Sequence, residues 1–362
     1  MEDIIIRGAP AEYVCKSGVL DELEDKLKSR SITRVLIVSG VKSWYAARYY
    51  FPNLKSIHVS HAFYKGQCTV TEISRVTALA KDHAVDAIIG VGGGKVLDVV
   101  KAAAYTCGTK SILIPTLASN CAPWTPLSVI YSNEGVMTHY EVYPMSVDIL
   151  LVEPRILVEA PVPLLIAGIG DTLAKWYEAD VQISKLSDPP VALKVAHHTA
   201  RLCAEEMFDH AEQAIGDAKE VSVSNAFVKV VESIIMLGGM VGGFGDSYGR
   251  IAGAHSIHNG MTIAPESHEA LHGNKVAYGI LVQLLLEQNE SEVERLLPFY
   301  QKLGLPTSLY ELNIPSKWID QIAQQSTRNE ESIHHLRSEK ITATEVAQAM
   351  RYLESRGVQK DR

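Results

Sequence analysis

Four of the chain's thirteen histidines fall in the stretch HSIHNGMTIAPESHEALHGNK, residues 255–275. His255 and His258 stand three apart, so on a helix they share one face. His272 follows a loop containing Pro265 and starts the next apolar run, HGNKVAYGILVQLLLE. A buried imidazole needs a partner, and the neutral ring is a common ligand for divalent metals. A catalytic metal site commonly takes three N or O side-chain ligands and keeps one position open. A carboxylate to join such a set occurs in GIGDTLAKWYEA (168–179), where Asp171 follows two glycines inside an apolar helical pattern. His268 has no such setting and reads as a solvated loop residue. His197 and His198 read as structural or surface residues of a helix.

A second chemical signal is GVGGGKVLDVVK (90–101), lying between an apolar strand pattern and a helix pattern. Backbone amides at a helix N-terminus can approach a pyrophosphate closely where no Cβ intervenes. The stretch departs from the G-x-G-x-x-G fingerprint because Lys95 occupies the last glycine position, and it is not a P-loop either. The glycines alone equally fit a plain tight strand–helix turn, but a cation at a helix N-terminus is unfavourable with the helix dipole unless an anion is bound, so Lys95 points toward phosphate.

The elements that must position these groups change character along the chain. RVLIVSG (34–40), VDAIIG (85–90) and SILIPT (111–116) are unbroken apolar strands. They alternate with helical runs such as VTEISRVTALAKDHAV, which implies a parallel sheet covered on both faces. LSVIYSNEGVMTHYEVYP reads as a hairpin closed by SNEG. From residue 162 onward the pattern is helical throughout. The expected architecture is an α/β dinucleotide-binding domain over 1–161 and an all-helical catalytic domain over 162–362, with a small-molecule site of the kind often found between two domains.

The 362 residues suit two domains, and 47% hydrophobic with 21% charged residues fits a globular chain. A net charge of −8 provides no basic footprint for nucleic acid. MEDIIIRGAPAEYV has no signal core, and the apolar stretch SIIMLGGMVGGFG is shorter than a membrane span. Five scattered cysteines read as reduced thiols of a cytoplasmic protein. The expected partners are a small-molecule substrate and further copies of the chain, as a dimer or larger homo-oligomer, with no nucleic acid and no membrane.

GGG-x-x-x-D-x-x-K, present as Gly92, Gly93, Gly94, Asp98 and Lys101, resembles the nucleotide-binding motif of the metal-dependent ("iron-containing") alcohol dehydrogenases. PTLASNCAPWTPLSVIY (115–131), AGIGDTLAKWYEA (167–179), AHSIHNGMT (254–262) and HGNKVAYGILVQLLLE (272–287) resemble the glycerol dehydrogenase branch, and within it the hydroxycarboxylate dehydrogenase group. The resemblance implies a dehydroquinate synthase-like fold, with a Rossmann-like nucleotide-binding domain before a helical one. It implies metal ligands at Asp171, His255 and His272, and a role beside the ligands or the nicotinamide for His258. It also implies cofactor contacts at Gly92, Gly93, Gly94, Lys95, Asp98, Thr116, Ser119, Thr125, Leu127 and Tyr131. The expected cofactors are NAD(P)H and one divalent ion, with Zn²⁺ suited to two imidazoles and a carboxylate, and Fe²⁺ or Ni²⁺ compatible with the same ligands.

Two positions depart from the glycerol branch. Cys121, by type an ordinary inert thiol, stands where that branch carries an Asp that contacts glycerol hydroxyls, and Lys175 replaces a small polar residue one helical turn from Asp171, where it either pairs with a carboxylate or meets the substrate. These changes remove a negative charge and add a positive one, which favours a 2-oxo carboxylic acid over a polyol. Trp124 reads first as a core residue, and alternatively as an apolar wall for a substrate side chain. After the second strand, Ser39 and Lys42 stand where an NAD-preferring enzyme usually has an acidic residue, so NADPH is expected to be accepted. The alternatives are a glycerol or other polyol dehydrogenase, a lyase of the dehydroquinate synthase type, and a non-catalytic descendant.

Overall fold

The structure is a computed structural model and describes residues 4–357. The described residues form eight strands: β1 (Glu12–Cys15), β2 (Arg34–Ser39), β3 (His58–Phe63), β4 (Ala87–Gly92), β5 (Lys110–Pro115), β6 (Leu127–Tyr131), β7 (Met137–Val142) and β8 (Ile149–Val152). Six of them make one sheet in the order β1-β8-β5-β4-β2-β3, and every pairing in it is parallel. β4 and β8 are buried at every residue, and β2 and β5 at all but the first. Apolar strands of this kind require cover on both faces, so they occupy the sheet interior. β3, HVSHAF, carries two histidines and is largely exposed, and it takes an edge position. β6 and β7 pair antiparallel, and the SNEG turn places Gly135 at φ 85°, a backbone conformation that suits glycine.

The described chain forms two compact units. Residues 7–161 and 217–239 make the first; residues 4–6, 162–216 and 240–357 make the second. The stretch 217–239 is helical in pattern yet packs within the first unit. Glu232 Oε1 lies 3.5 Å from the Tyr13 hydroxyl, and a Cβ at Gly239 would fall 2.3 Å from Trp124 Cδ1. The helical run Asn225–Gly245, which passes through a π turn at Ser233–Leu237, exceeds the apolar stretch read from sequence. By length and composition alone it is long enough to cross a membrane, but 61% of its most apolar window is buried, as in a core helix. No disulfide joins the five cysteines.

In the second unit, no strand occurs among the described residues. Three helices carry the candidate ligands: the Asp171 helix (Val162–Ile183), the His255 helix (Gly253–Met261) and the His272 helix (His272–Leu286). Glycine lets their backbones touch. A Cβ at Gly273 would fall 1.8 Å from the Ala167 carbonyl oxygen, and one at Gly279 would fall 2.4 Å from that of Ala254. Gln283, fully buried, joins all three helices. Its Oε1 accepts from the Ala254 N–H at 2.9 Å and its Nε2 donates to the Tyr177 carbonyl at 3.0 Å. A buried amide with both ends satisfied fixes the relative rotation of the helices it joins.

Candidate metal centre

Asp171, His255 and His272 meet in the second unit, with one ligand atom from each lying within 4.8 Å of the others. Asp171 Oδ1 is 3.2 Å from His272 Nε2 and 3.6 Å from His255 Nε2. That oxygen is buried and accepts no hydrogen bond. A buried carboxylate oxygen left without a donor is costly unless a cation satisfies it. Two imidazole nitrogens aimed at the same point make an N,N,O set that fits a divalent ion. Asp171 and His255 are nearly enclosed, whereas the His272 side chain is 44% exposed, so the centre is open on the His272 side.

Glu178 was not apparent as a site residue from sequence. It follows Asp171 by seven residues, two helical turns, which puts both carboxylates on one face of the same helix. That spacing was the available signal. Glu178 Oε2 accepts from His255 Nδ1 at 2.6 Å, and Oε1 accepts the backbone N–H groups of Ala252 at 2.7 Å and His255 at 2.9 Å. One carboxylate therefore caps the start of the His255 helix and orients its imidazole, leaving Nε2 to face Asp171.

The charges agree with this arrangement. Burial works to raise the Asp171 carboxyl, but Lys175 and the two imidazoles hold it well below the usual range. Burial likewise opposes ionisation of Glu178, and His255 overcomes it and keeps the carboxyl low. Burial lowers His255, yet Glu178 and Asp171 outweigh it and lift the ring to about 9. Lys175 is buried on the Asp171 helix and acts electrostatically on Asp171, Glu178 and His255.

Below pH 9 His255 carries a proton on Nε2 that an incoming ion must displace. Uptake at pH 7.5 should release about one proton from His255, and affinity should fall as pH drops below about 9. Calorimetry in buffers of different ionisation enthalpy measures this. Proton-neutral binding at that pH would contradict the ligand role of His255.

His258 shares the helix face of His255 as expected, but both of its ring nitrogens are engaged. Nε2 lies 3.0 Å from His272 Nδ1, and Nδ1 lies 3.1 Å from Asn259 Oδ1. Burial, with the neighbouring cationic groups, pushes His258 well below the usual histidine range, so the ring is neutral. Its surroundings are those of a group that positions a ligand rather than one that exchanges protons with substrate. His268 is exposed, His198 is exposed, and His197 pairs with Asp180 at 2.6 Å.

The remaining expected site residues lie in the first unit. Gly93 is the N-cap of the helix Gly94–Cys107, directly after β4. A Cβ at Gly92 would fall 2.8 Å from Val96 Cβ, so the turn admits only glycine there. Lys95 donates to Gln67 Oε1 at 2.7 Å and stands 4.9 Å from the Tyr131 ring centroid, and burial lowers its pKa. Thr116, just after β5, gives its N–H to the Gly92 carbonyl. Ser119, Cys121 and Thr125 are half-buried in the following loop, and Leu127 and Tyr131 lie half-buried on β6.

Asp98 and Ser39 are differently placed from what the motifs imply. Asp98 is buried, pairs with Lys101 at 2.9 Å and accepts the Val129 N–H at 3.1 Å. Lys101 donates to the carbonyls of Ala122, Thr125 and Leu127. The D-x-x-K pair thus clamps the 122–129 segment onto the helix. Ser39 is fully buried at the end of β2, with its hydroxyl 2.8 Å from His61 Nε2, whereas Lys42 is exposed in the first turn of the helix Val41–Ala47. Trp124 is a core residue. It is 4% exposed, donates to the Gly8 carbonyl at 2.9 Å and meets Tyr13 edge-on.

Residues 10–154 match the model of the iron-containing alcohol dehydrogenases. Hydroxycarboxylate dehydrogenase A of Escherichia coli (strain K12) is 38% identical over 331 residues, covering 90% of this chain and 91% of that one. A glycerol dehydrogenase of Thermotoga maritima is 33% identical over 335 residues, covering 90% of each. Among solved structures, a probable glycerol dehydrogenase from Sinorhizobium meliloti 1021 superposes with a TM-score of 0.86 at 29% identity, over 97% of this chain and 99% of that one.

Proposed function

This chain belongs to the iron-containing alcohol dehydrogenase family and is an oxidoreductase acting on CH–OH groups, and from that premise we propose that it reduces small 2-oxo carboxylic acids to 2-hydroxy acids with NAD(P)H. The observation that carries the catalytic part is the convergence of the orphaned Asp171 Oδ1 with the Nε2 atoms of His255 and His272. A divalent ion held there would supply Lewis acidity toward the keto oxygen, and the nicotinamide would supply the hydride. Glu178 keeps the His255 proton on Nδ1, and the low pKa of Asp171 keeps its oxygen charged for the ion.

Charge supports the substrate class. A fixed carboxylate about 4 Å from a 2-oxo acid repels it by up to roughly 4 kcal/mol at an effective dielectric near 20. A third of that is close to tenfold in affinity. Cys121, standing where the glycerol branch has Asp, carries no such charge, and Lys175 adds a cation beside Asp171. The relative named hydroxycarboxylate dehydrogenase A agrees with this reading, while the Thermotoga maritima relative favours glycerol oxidation as the second one. For the cofactor, Ser39 and Gly40 bring no carboxylate to the end of β2, and the exposed Lys42 follows, so a 2′-phosphate meets no repulsion there.

A substrate panel tests this. 2-Oxobutyrate, phenylpyruvate and 2-oxoglutarate are expected to be reduced, with NADPH accepted at least as well as NADH, and glycerol to be oxidised poorly. Cys121→Asp is expected to lower kcat/KM for 2-oxo acids about tenfold. Efficient glycerol oxidation with no turnover of the three 2-oxo acids would replace this reading with the polyol dehydrogenase one.

A further inference from the structure

An imidazole that ligates through Nε2 must keep its own proton on Nδ1. For His255 the Glu178 carboxylate enforces this. His272 Nδ1 faces another imidazole instead, with His258 Nε2 at 3.0 Å. Two facing rings can share their protons in either sense, so something further along must decide. His258 Nδ1 lies 3.1 Å from Asn259 Oδ1, and Asn259 Nδ2 lies 3.1 and 3.3 Å from the two carboxylate oxygens of Glu331. We propose that Glu331 is a remote positioning residue of the metal centre, setting the proton on His258 and thereby the ligating nitrogen of His272 through Asn259.

With both rings neutral, the hydrogen-bond inventory allows one consistent solution. An ionised carboxylate only accepts, so Asn259 turns its NH₂ to Glu331 and its carbonyl to His258. That carbonyl only accepts, so His258 carries its proton on Nδ1 and keeps a lone pair on Nε2. The lone pair accepts from His272 Nδ1–H, and His272 Nε2 is left to face Asp171 Oδ1. In the opposite sense His258 Nδ1 would set a lone pair against the Asn259 carbonyl oxygen, acceptor against acceptor. The position of Glu331 agrees. It is the N-cap of the 3₁₀ turn Ser332–Leu336, but its side chain does not cap that turn and goes to Asn259 instead.

The inference rests on reading Asp171, His255 and His272 as metal ligands, and its test separates the two. Protein labelled with ¹⁵N-histidine, metal-free and zinc-loaded, reports each ring's tautomer through long-range ¹H–¹⁵N correlations. Wild type is expected to show His258 in a single Nδ1–H form. Glu331→Ala and Asn259→Leu, which break the chain at two points, are expected to mix that form and to weaken zinc binding about tenfold in chelator competition. Glu331→Gln, which keeps an acceptor oxygen for Asn259, should recover most of both. His255, held separately by Glu178, should keep its resonances. If His258 keeps one tautomer and the zinc Kd stays within about twofold in both breaking variants, the proposal is overturned. It also fails if His255 moves as far as His258, since the effect is then a general structural loss. If wild type takes up no zinc, the ligand reading fails, and the tautomers of the metal-free protein still decide the role of Glu331.

Discussion

Asp171→Ala should remove the divalent metal and lower kcat/KM by about 10³-fold or more. The metal set contains one carboxylate, and it is the group on which both imidazole Nε2 atoms converge, at 3.2 and 3.6 Å. Without it a divalent charge would meet two neutral rings, with the Lys175 cation nearby. Loss of Lewis-acid stabilisation worth about 4 kcal/mol corresponds to that factor in rate. Asp171→Asn preserves the shape and removes only the charge, so it should fail in the same way if charge is the cause. Metal content after dialysis, measured beside steady-state kinetics, reads both effects. Full metal retention in both variants would end the assignment of Asp171 as a ligand.

Gly273→Ala should destabilise the second unit by about 3 kcal/mol or more, lowering its melting temperature by roughly 6–12 °C. The added methyl would lie 1.8 Å from the Ala167 carbonyl oxygen, far inside contact distance, and the obstacle is backbone that cannot rotate away. The Asp171 and His272 helices would have to separate, which also draws Asp171 away from His272, so metal affinity should fall with stability. Gly216→Ala is the matched control. Gly216 lies inside the helix Val191–Lys219 with open space where a Cβ would sit, and alanine there should be neutral or stabilising by up to about 1 kcal/mol. Thermal melts of the metal-free proteins compare the two; equal melting temperatures for Gly273→Ala and wild type would refute the close-packing argument.

The fold class was legible because its causes are local. Unbroken apolar runs such as RVLIVS and AIIGVG can be stable only between two layers, and the strand–helix alternation around them permits a parallel sheet. The hairpin was legible from its SNEG turn, and the helical half from its periodicity. The resemblance pointed to Asp171, His255 and His272 through stretches that stay together in the chain. What was not legible depends on partners distant in sequence. Glu178 stands in the open in GDTLAKWYEA, but its role exists only because Ala252 and His255 bring N–H groups and a ring nitrogen to it.

The same distinction separates residue type from residue role elsewhere. A glycine turn after a buried strand, histidines crowded into one segment, and a carboxylate in GIGD can all be read along the chain. These follow from composition and spacing, which act over a few residues. Folding adds that Asp98 and Lys101 clamp the 122–129 segment, that Ser39 is held by His61, and that 217–239 packs with the first unit, while Trp124 takes the core position its residue type favours. It also decided that both nitrogens of His258 are taken, and that Asn259 reaches Glu331. The physical reason is that a polar side chain takes its meaning from whichever donor or acceptor folding brings within about 3 Å, and no local spacing specifies that neighbour.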